Sequence, residues 1–88
     1  MNRCEWKNVV LGREFDQYIL EHPEFAKNIP RKALIALQVE GDQEFNTWSR
    51  RLAQAQAETN QPIVYVIIKK MQPLRSRIEQ VELAKAVA

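Results

Sequence analysis

Two side chains in this sequence belong to types that commonly carry chemistry near neutral pH, and each type occurs once. His22 is the single histidine and Cys4 the single cysteine among the 88 residues. A histidine that carries protons in catalysis needs a carboxylate or a nucleophile held beside it, and a pair with Cys4 would be one such arrangement. Because His22 precedes Pro23 at the predicted end of a helix, we expect it to cap backbone groups instead.

The same count of residue types argues against a metal centre. A metal site in a protein takes three or four convergent ligands, and one His with one Cys does not supply them. No combination of acid, base and nucleophile can be assembled from the remaining residues either. We therefore predict no metal ligands and no catalytic residues, and we expect that the protein is not an enzyme.

The turn Glu40-Gly41-Asp42 follows the first predicted strand, at the position where open α/β sheets bind ligands. A phosphate-binding loop there would need several glycines and a Lys, Ser or Thr at the start of the helix. This turn has one glycine and two acids, whose charges repel phosphate. We interpret Gly41 as a residue of positive φ and Asp42 as the N-cap of the next helix, and we predict no cofactor.

Two apolar runs dominate the middle of the chain, ALIAL at residues 33–37 and IVYVII at residues 63–68. Neither run alternates with polar residues, which is typical of strands covered on both faces, as parallel strands usually are. The residues between them have helical spacing. A helix of roughly 27 Å, at about 1.5 Å per residue, returns the chain along a strand of roughly 26 Å. The prediction is a right-handed parallel βαβ unit with a strand at 33–39, a helix at 42–59 and a strand at 62–69.

Further elements flank this unit. We interpret residues 1–7 as a polar lead-in and residues 9–21 as a helix that Asn8 caps. Residues 78–88 are rich in Ala, Glu and Leu, which predicts a short C-terminal helix or a tail. The chain as a whole is predicted to be one small α/β domain of order α-β-α-β. The apolar stripe of the first helix is expected to contain Leu11, Phe15, Tyr18 and Ile19.

Trp48 lies on the stripe that the central helix is expected to bury, together with Phe45, Leu52 and Ala55. One interpretation is that its ring packs in the core. The other is that it anchors a partner protein, since Trp is enriched among the residues that dominate binding energy. Trp48 is therefore a candidate partner-binding residue.

Residues 69–77 hold four cations and no acid. A solvated surface, contact with an acidic protein and contact with nucleic acid are the three interpretations of such a segment. The aromatic side chains that usually stack on single-stranded nucleic acid are missing from it, and the formal charge of the chain is only +2. The candidate partner-binding residues here are Lys69, Lys70, Arg75 and Arg77.

Composition also bears on the location of the protein. A single cysteine allows no disulfide within the chain, which suits a reducing cytoplasm. The longest apolar run has six residues, far fewer than a membrane span needs, and no signal peptide is visible. We expect a soluble cytoplasmic protein that does not bind membranes.

Four short strings form a recognisable series: ILEHPEF at 19–25, IP at 29–30, DQEFNTW at 42–48 and PIVYV at 62–66. The resemblance that they carry spans roughly residues 10–77. In these strings the chain resembles a small prokaryotic family of unknown function. Members of that family share a turn with Glu-His-Pro-Glu, an Ile-Pro entry and an Asp-x-Glu-x-Asn helix start. The resemblance implies a small α/β fold and no particular chemistry.

A sheet of two parallel strands is marginal by itself, and its outer edges offer unpaired N–H and C=O groups. Strands that are apolar on both faces also need two covering layers, which two helices, or one helix and a second subunit, could supply. We therefore predict a homodimer or a tight hetero-complex with about 800 Å² or more buried per partner. The expected function is a protein–protein interaction or regulatory module, such as an antitoxin-like protein or an adaptor; the alternative is a nucleic-acid-binding protein that uses residues 69–77.

Overall fold

The computed structural model describes residues 1–86. It confirms the predicted fold class, a small single α/β domain with two parallel strands in one sheet. No helix among these residues combines the length and the apolar character needed to cross a membrane. The elements in chain order are α1 (Arg3–Glu21), α2 (Pro23–Ala26), β1 (Leu34–Val39), α3 (Gln43–Gln56) and β2 (Ile63–Ile68).

Helix α1 begins at Arg3, so residues 1–7 are not the polar lead-in that the sequence indicated, and Asn8 lies inside the helix. The cap is Asn2, whose Oδ1 accepts a hydrogen bond of 2.7 Å from the N–H of Glu5. Its Nδ2 donates in return to the Glu5 carboxylate at 3.1 Å, an exchange that resembles a capping box. The first bond satisfies the N–H of Glu5 and the second holds the Asn2 side chain in place, so the helix starts before the apolar stripe does.

Helix α1 ends at Glu21, and His22 caps it as predicted. The backbone N–H of His22 donates to the carbonyl of Tyr18 at 2.8 Å. Its ring Nδ1 lies 3.0 Å from the same carbonyl oxygen, so Nδ1 carries the proton, and the imidazole stacks on the Tyr18 ring with centroids 4.0 Å apart. Pro23 then begins α2, in the first helical position that suits proline.

Strands β1 and β2 are paired in parallel, from Leu34 opposite Ile63 to Val39 opposite Ile68. They are slightly shorter than the predicted ranges 33–39 and 62–69. Parallel neighbours need a crossover connection, and α3 provides it. The two apolar runs therefore lie side by side and point the same way.

Helix α3 starts where the sequence predicts. Asp42 is its N-cap and accepts a hydrogen bond of 3.1 Å from the N–H of Phe45. Gly41, directly before the cap, has a φ of 87°, a conformation that glycine adopts at little cost. The turn after β1 is therefore a capped helix start.

Helix α3 ends at Gln56, earlier than the predicted range 42–59. The backbone becomes extended after this residue and turns through Asn60, whose φ of 65° is the left-handed conformation that the sequence indicated. The side chain of Gln61 stabilises the turn, because its Oε1 accepts a hydrogen bond of 2.9 Å from the backbone N–H of Glu58. Its Nε2 donates to the carbonyl of Lys32 at 2.9 Å, which joins this turn to the loop before β1.

The hydrophobic core lies between α1, α3 and one face of the sheet. Its centre consists of Leu11, Leu37 and Phe45, and Phe45 is only 1% exposed. The centre of the core thus takes one residue from each of α1, β1 and α3. Half-buried side chains surround it: Cys4, Phe15, Ile35, Val39, Trp48, Val66 and Ile68.

The buried face of α3 differs from the predicted stripe. Phe45, Ser49 and Ala53 are buried, whereas Ala55 is exposed. Ser49 is buried because its hydroxyl donates a hydrogen bond of 2.7 Å to the carbonyl of Leu37, which offsets the cost of removing the hydroxyl from water. A polar contact with β1 thus helps to set the rotation of the helix.

Residues 69–86 contain no helix or strand, and their side chains are exposed. For residues 78–88 the sequence left a short helix or a tail open; residues 78–86 form a tail, and residues 87–88 lie outside the described part. The radius of gyration is 18.0 Å, whereas a compact domain of this length has roughly 12 Å. The C-terminal segment therefore extends away from the folded body.

Candidate protein-interaction surface

Two hydrogen bonds at the ends of the sheet determine which way the backbone groups of each strand point. Leu34 donates its N–H to the carbonyl of Pro62 at 2.8 Å, and Glu40 donates to Ile68 at 3.0 Å. In a strand, these groups point alternately to the two sides. The even-numbered residues of β1 and β2 therefore face each other, and the odd-numbered residues form the two outer edges of the sheet.

Helix α3 closes the outer edge of β1 with two side chains. Asn46 accepts a hydrogen bond from the N–H of Val39 through Oδ1 and donates from Nδ2 to the carbonyl of Val39, both at 2.7 Å. One turn later, Ser49 bonds the carbonyl of Leu37. Asn46 thus satisfies both backbone groups of Val39, as a residue of a neighbouring strand would. Another strand cannot pair along this edge without breaking these bonds.

The outer edge of β2 has no such cover. Its outward-facing residues are Ile63, Tyr65 and Ile67, and among residues 1–86 no hydrogen bond reaches their N–H or C=O groups. The usual protections of an edge strand are charged residues, a proline or a bulge, and the sequence IVYVII of this strand contains no charge and no proline. Strand β2 therefore offers an edge that another strand can extend.

The outer face of the sheet, opposite the core, is apolar and partly open to water along β2, whereas along β1 Ala36 is buried and Gln38 donates to the carbonyl of Asn46 in α3. Because paired residues of a parallel sheet share a face, Leu34, Ala36 and Gln38 lie on it with the three outward-facing residues of β2. Tyr65 is 40% exposed and Ile67 is 58% exposed. An aromatic and an aliphatic side chain therefore lie beside the unpaired edge, where a partner that extends the sheet would also cover them.

The four cations proposed as partner-binding residues all follow β2. Lys69 and Lys70 come directly after the strand, and Arg75 and Arg77 lie further along the exposed segment. Within residues 1–86 none of the four forms a salt bridge. Their role in binding stays a prediction. The apolar side chains exposed in the same segment are Met71, Leu74, Ile78, Val81 and Leu83.

Trp48 lies between the core and a groove on the surface. Its ring is 5.9 Å from that of Phe45 and packs half-buried against the core. It also lines a groove of about 880 Å³ between the start of α1 and α3, which it shares with Arg50 and Arg51. Trp48 and the C-terminal cations thus lie on separate elements, and its use as a partner anchor stays a prediction.

A charged pair ties the start of α3 to α1. Lys7 Nζ bonds Asp42 Oδ2, and the same ammonium lies 5.5 Å from the centroid of the Phe45 ring. This hydrogen bond, and after it the one from the Phe45 N–H, lowers the pKa of the Asp42 carboxyl below its usual 3.8. Asp42 is thus engaged in holding two helices together.

We expect the substitution Asp42→Asn to reduce the loss in free energy of unfolding that occurs as the pH falls, which is the acid limb of the stability–pH curve. Because the pKa of Asp42 is lowered by folding, its ionised form contributes stability that is fully present above about 3.8 and is lost as the pH falls through the folded-state value. Asparagine keeps the cap but carries no charge. Urea unfolding measured at several pH values between about 2 and 7 tests this. The control Glu14→Gln, at an exposed position of α1, should keep the wild-type limb; an unchanged limb in Asp42→Asn contradicts the prediction.

The two side chains with the most evident chemistry lie at opposite ends of α1. Cys4 is in the first turn, half-buried against the core, and His22 caps the last turn. A helix of 19 residues is roughly 28 Å long at about 1.5 Å per residue, so the two cannot act on one substrate atom. Among residues 1–86, no three His, Cys, Asp or Glu side chains cluster in a way that could hold a metal ion.

The closure of the β1 edge is the feature that the sequence reasoning missed. Asn46 and Ser49 are three positions apart, so they lie on one side of the helix, next to the apolar residues Phe45 and Ala53. A polar pair beside the buried face of a helix that crosses between parallel strands is the signal that could have identified it. Asn46 also completes the Asp-x-Glu-x-Asn string at the start of this helix.

Comparison with known proteins gives a family and no activity. The model of the "Family of unknown function (DUF5647)" matches residues 3–81, which include every helix and strand and the first part of the C-terminal segment. No curated protein and no solved structure matches the chain. The resemblance to a small uncharacterised family is thereby confirmed. The chain belongs to the Family of unknown function (DUF5647).

Proposed function

We propose that this protein is a protein–protein interaction module that acts as a homodimer, in which two copies pair through the outer edges of β2. The contrast between the two edges of the sheet carries the proposal. Asn46 and Ser49 bond both backbone groups of Val39 and the carbonyl of Leu37 on the edge of β1, whereas the outward-facing groups of β2 have no partner among residues 1–86. Pairing across a two-fold axis joins the two sheets into one of four strands, with the β2 strands antiparallel.

The edge of β2 suits pairing with itself. With Tyr65 on the two-fold axis, it faces Tyr65 of the second copy, and Ile63 faces the second copy's Ile67. All three outward-facing residues then exchange backbone hydrogen bonds, and their side chains meet on the outer face. Aromatic and aliphatic pairs across strands are favourable, and no like charges oppose each other within β2.

We expect Ile67→Pro to raise the dissociation constant of the dimer by roughly 5- to 150-fold. The N–H of Ile67 points away from β1, so proline removes an intermolecular donor and leaves the hydrogen bonds between β1 and β2 in place. Each dimer loses two such donors at about 0.5–1.5 kcal/mol each, and about 1.4 kcal/mol corresponds to a factor of ten. Sedimentation equilibrium over a dilution series measures the constant.

The matched control for this experiment is Ile67→Thr, which shortens the same side chain and keeps the backbone N–H. Its dissociation constant should lie much closer to that of the wild type. A wild-type chain that is folded and monomeric at micromolar concentration contradicts the proposed dimer. A dimer that Ile67→Pro and Ile67→Thr weaken equally contradicts pairing through the edge of β2.

The proposal assigns the protein an adaptor or antitoxin-like role in the cytoplasm and no catalytic role. The cysteine Cys4 is a free thiol, as is usual in a reducing compartment. A four-stranded sheet with helices on one face leaves the groove at Trp48 available to a further protein. Affinity capture from the native cell, with Trp48→Ala as the comparison, identifies such a partner and tests whether Trp48 anchors it.

Nucleic-acid binding is the second candidate, and the four exposed cations after β2 favour it. They lie in one segment, residues 69–77, without an acidic residue among them. If they bind phosphates, the affinity for nucleic acid should fall steeply with salt, and replacing all four by Gln should reduce the slope by a few units. Retention on a nucleic-acid column that does not respond to this replacement contradicts the candidate.

A further inference from the structure

The segment of residues 76–86 carries the start signal of a helix. Ser76 and Glu79 have the spacing of a capping box, in which the first side chain accepts a hydrogen bond from the first turn. In the structure the Ser76 hydroxyl already accepts the N–H of Ile78 at 3.1 Å. An N-cap residue makes this same bond with the second residue of its helix. One bond of a helix cap is therefore formed, in a segment that is not helical.

The residues after Ser76 suit an amphipathic helix. Most of them are good helix formers, with Glu79 and Glu82 early and Lys85 late, the order that the helix dipole favours. In a helix, Ile78, Val81 and Ala84 would lie on one side, and Leu83 would lie on a different side. Arg77 and Lys85 share the side of Ile78, where their long stems can pack while their charges stay in water. A helix of this length is marginal in water without a surface to pack on. Its apolar side chains are instead exposed, Ile78 to 70% and Val81 to 85%.

The β2 side of the outer sheet face offers an apolar surface for Ile78 and Val81. The core packs on the opposite face, and Tyr65 and Ile67 remain partly exposed on this one. In an α/β fold each face of the sheet is normally covered by a helix. Helix α1 covers the inner face, and α3 lies along the β1 edge, where Ala36 is buried and Gln38 bonds the carbonyl of Asn46. The β2 side of the outer face therefore lacks a layer, and the C-terminal segment lacks a surface.

The size of the proposed interface indicates that edge pairing alone does not complete it. An edge of six residues is roughly 20 Å long, and with a layer thickness of about 10 Å it covers roughly 200 Å². Specific interfaces bury about 800 Å² per partner. A helix packed on the outer face would supply much of the difference and would cover Tyr65 and Ile67.

The second copy is the occupant that the geometry favours. In the isolated chain the segment does not lie on its own outer face, since Leu74 is fully exposed and Val81 nearly so. Residues 69–75 span roughly 24 Å when extended, at about 3.3–3.6 Å per residue. Strands in a sheet are only about 4.8 Å apart, so this link crosses easily from β2 to the face of its paired neighbour.

We infer that residues 76–86 fold into a helix on the outer sheet face of a second copy, so that the two copies exchange C-terminal helices. The inference rests on the proposed dimer and names what completes it. The stripe of Ile78, Val81 and Ala84 packs on Tyr65 and Ile67 of the other copy. Folding and association are then coupled, and the helix content of the chain rises as the dimer forms.

Two substitutions of the same kind test the helix. Val81→Glu places a charge on the stripe, whereas Leu83→Glu places it on another side; the two side chains are 85% and 84% exposed in the isolated chain. We expect Val81→Glu to raise the dissociation constant at least tenfold and to remove the rise in circular-dichroism helix signal with concentration. Leu83→Glu should behave like the wild type. Equal effects of the two overturn the helix, because residues 81 and 83 share a face only in an extended chain.

Mixing two defective variants tests the exchange between copies. Val81→Glu has a damaged helix and an intact face, and Tyr65→Glu has the reverse. If the helices exchange, a mixed dimer keeps one intact helix–face pair and forms more tightly than either variant alone. If each helix packs on its own chain, the mixed dimer has no intact pair, and the absence of rescue overturns the inference. A wild-type dimer unaffected by Val81→Glu also overturns it while leaving the proposed dimer in place, whereas a monomeric wild type removes both.

Discussion

Replacing Phe45 by alanine is expected to remove about 3–5 kcal/mol from the free energy of unfolding, the largest effect of any single truncation in this chain. Phe45 is 1% exposed and lies where α1, α3 and β1 meet, so the cavity left behind cannot be filled from solvent. Small proteins have roughly 0.05–0.15 kcal/mol of stability per residue, which for this length is roughly 4–13 kcal/mol. The loss therefore threatens the folded state itself. Urea unfolding followed by tryptophan fluorescence measures it.

Two companion substitutions make the result specific. Phe25→Ala removes the same side chain at a position that is 37% exposed, and its cost should be markedly smaller. Trp48→Ala should fall between them, because the Trp48 ring is half-buried beside Phe45. If Phe45→Ala is no more destabilising than Phe25→Ala, the position of the core is wrong. If Trp48→Ala leaves stability unchanged while a partner is lost, Trp48 acts as an anchor rather than as part of the core.

The βαβ unit could be predicted because its signals are local and strong. The two apolar runs favour buried strands, and the segment between them is long enough for a helix that returns along the sheet to a parallel neighbour. The turn residues pointed the same way: Gly41 and Asp42 begin α3, and Asn60 turns the chain toward β2. This part of the fold could be predicted because the apolar runs, the length of the connecting segment and the turn residues all indicate the same arrangement.

The start of α1 could not be read from apolar spacing because the spacing begins after the helix does. Its first turn is set by the exchange of hydrogen bonds between Asn2 and Glu5, and by Cys4 packing on the core. The pair Asn-x-x-Glu is visible in the sequence, but it marks a helix start only if neighbouring residues such as Cys4 pack on the core. That burial is a tertiary property, and local pattern does not report it.

The edge contrast at the candidate surface could not be predicted from the sequence, because it too depends on contacts that form only when the chain is packed. The expectation of a dimer assumed that both edges of the sheet were unpaired. Asn46 and Ser49 close one of them through contacts between a helix and a strand that only the packed arrangement brings together. The edge of β2 is therefore the one that the proposed dimer would use.

The closure of this edge leads to the second large effect: Asn46→Ala is expected to cost about 2–4 kcal/mol. The substitution removes both hydrogen bonds to Val39, and leaving a half-buried donor and acceptor unpaired costs about 1–3 kcal/mol each, less where water reaches them. Gln54→Ala, at an exposed position of the same helix, should change stability by less than about 0.5 kcal/mol. Asn46→Asp adds a sharper comparison, because it keeps the acceptor for the Val39 N–H and places a carboxylate against the Val39 carbonyl. Its cost should be large at neutral pH and should shrink when acid protonates the new side chain.

Asn46→Ala should also change how the chain associates, which separates edge closure from simple stabilisation. Without Asn46 the N–H and C=O of Val39 lose their partners, and Ser49 alone still bonds this edge. Each copy then has a second edge that another strand can reach more easily. Two edges permit open-ended growth, whereas a single edge closes a dimer. Light scattering should therefore show species beyond the dimer in Asn46→Ala at concentrations where the wild type stops at two copies. Phe25→Ala, which leaves both edges unchanged, should not show them, and neither should Asn46→Ala if the side chain of Asn46 serves only to stabilise α3.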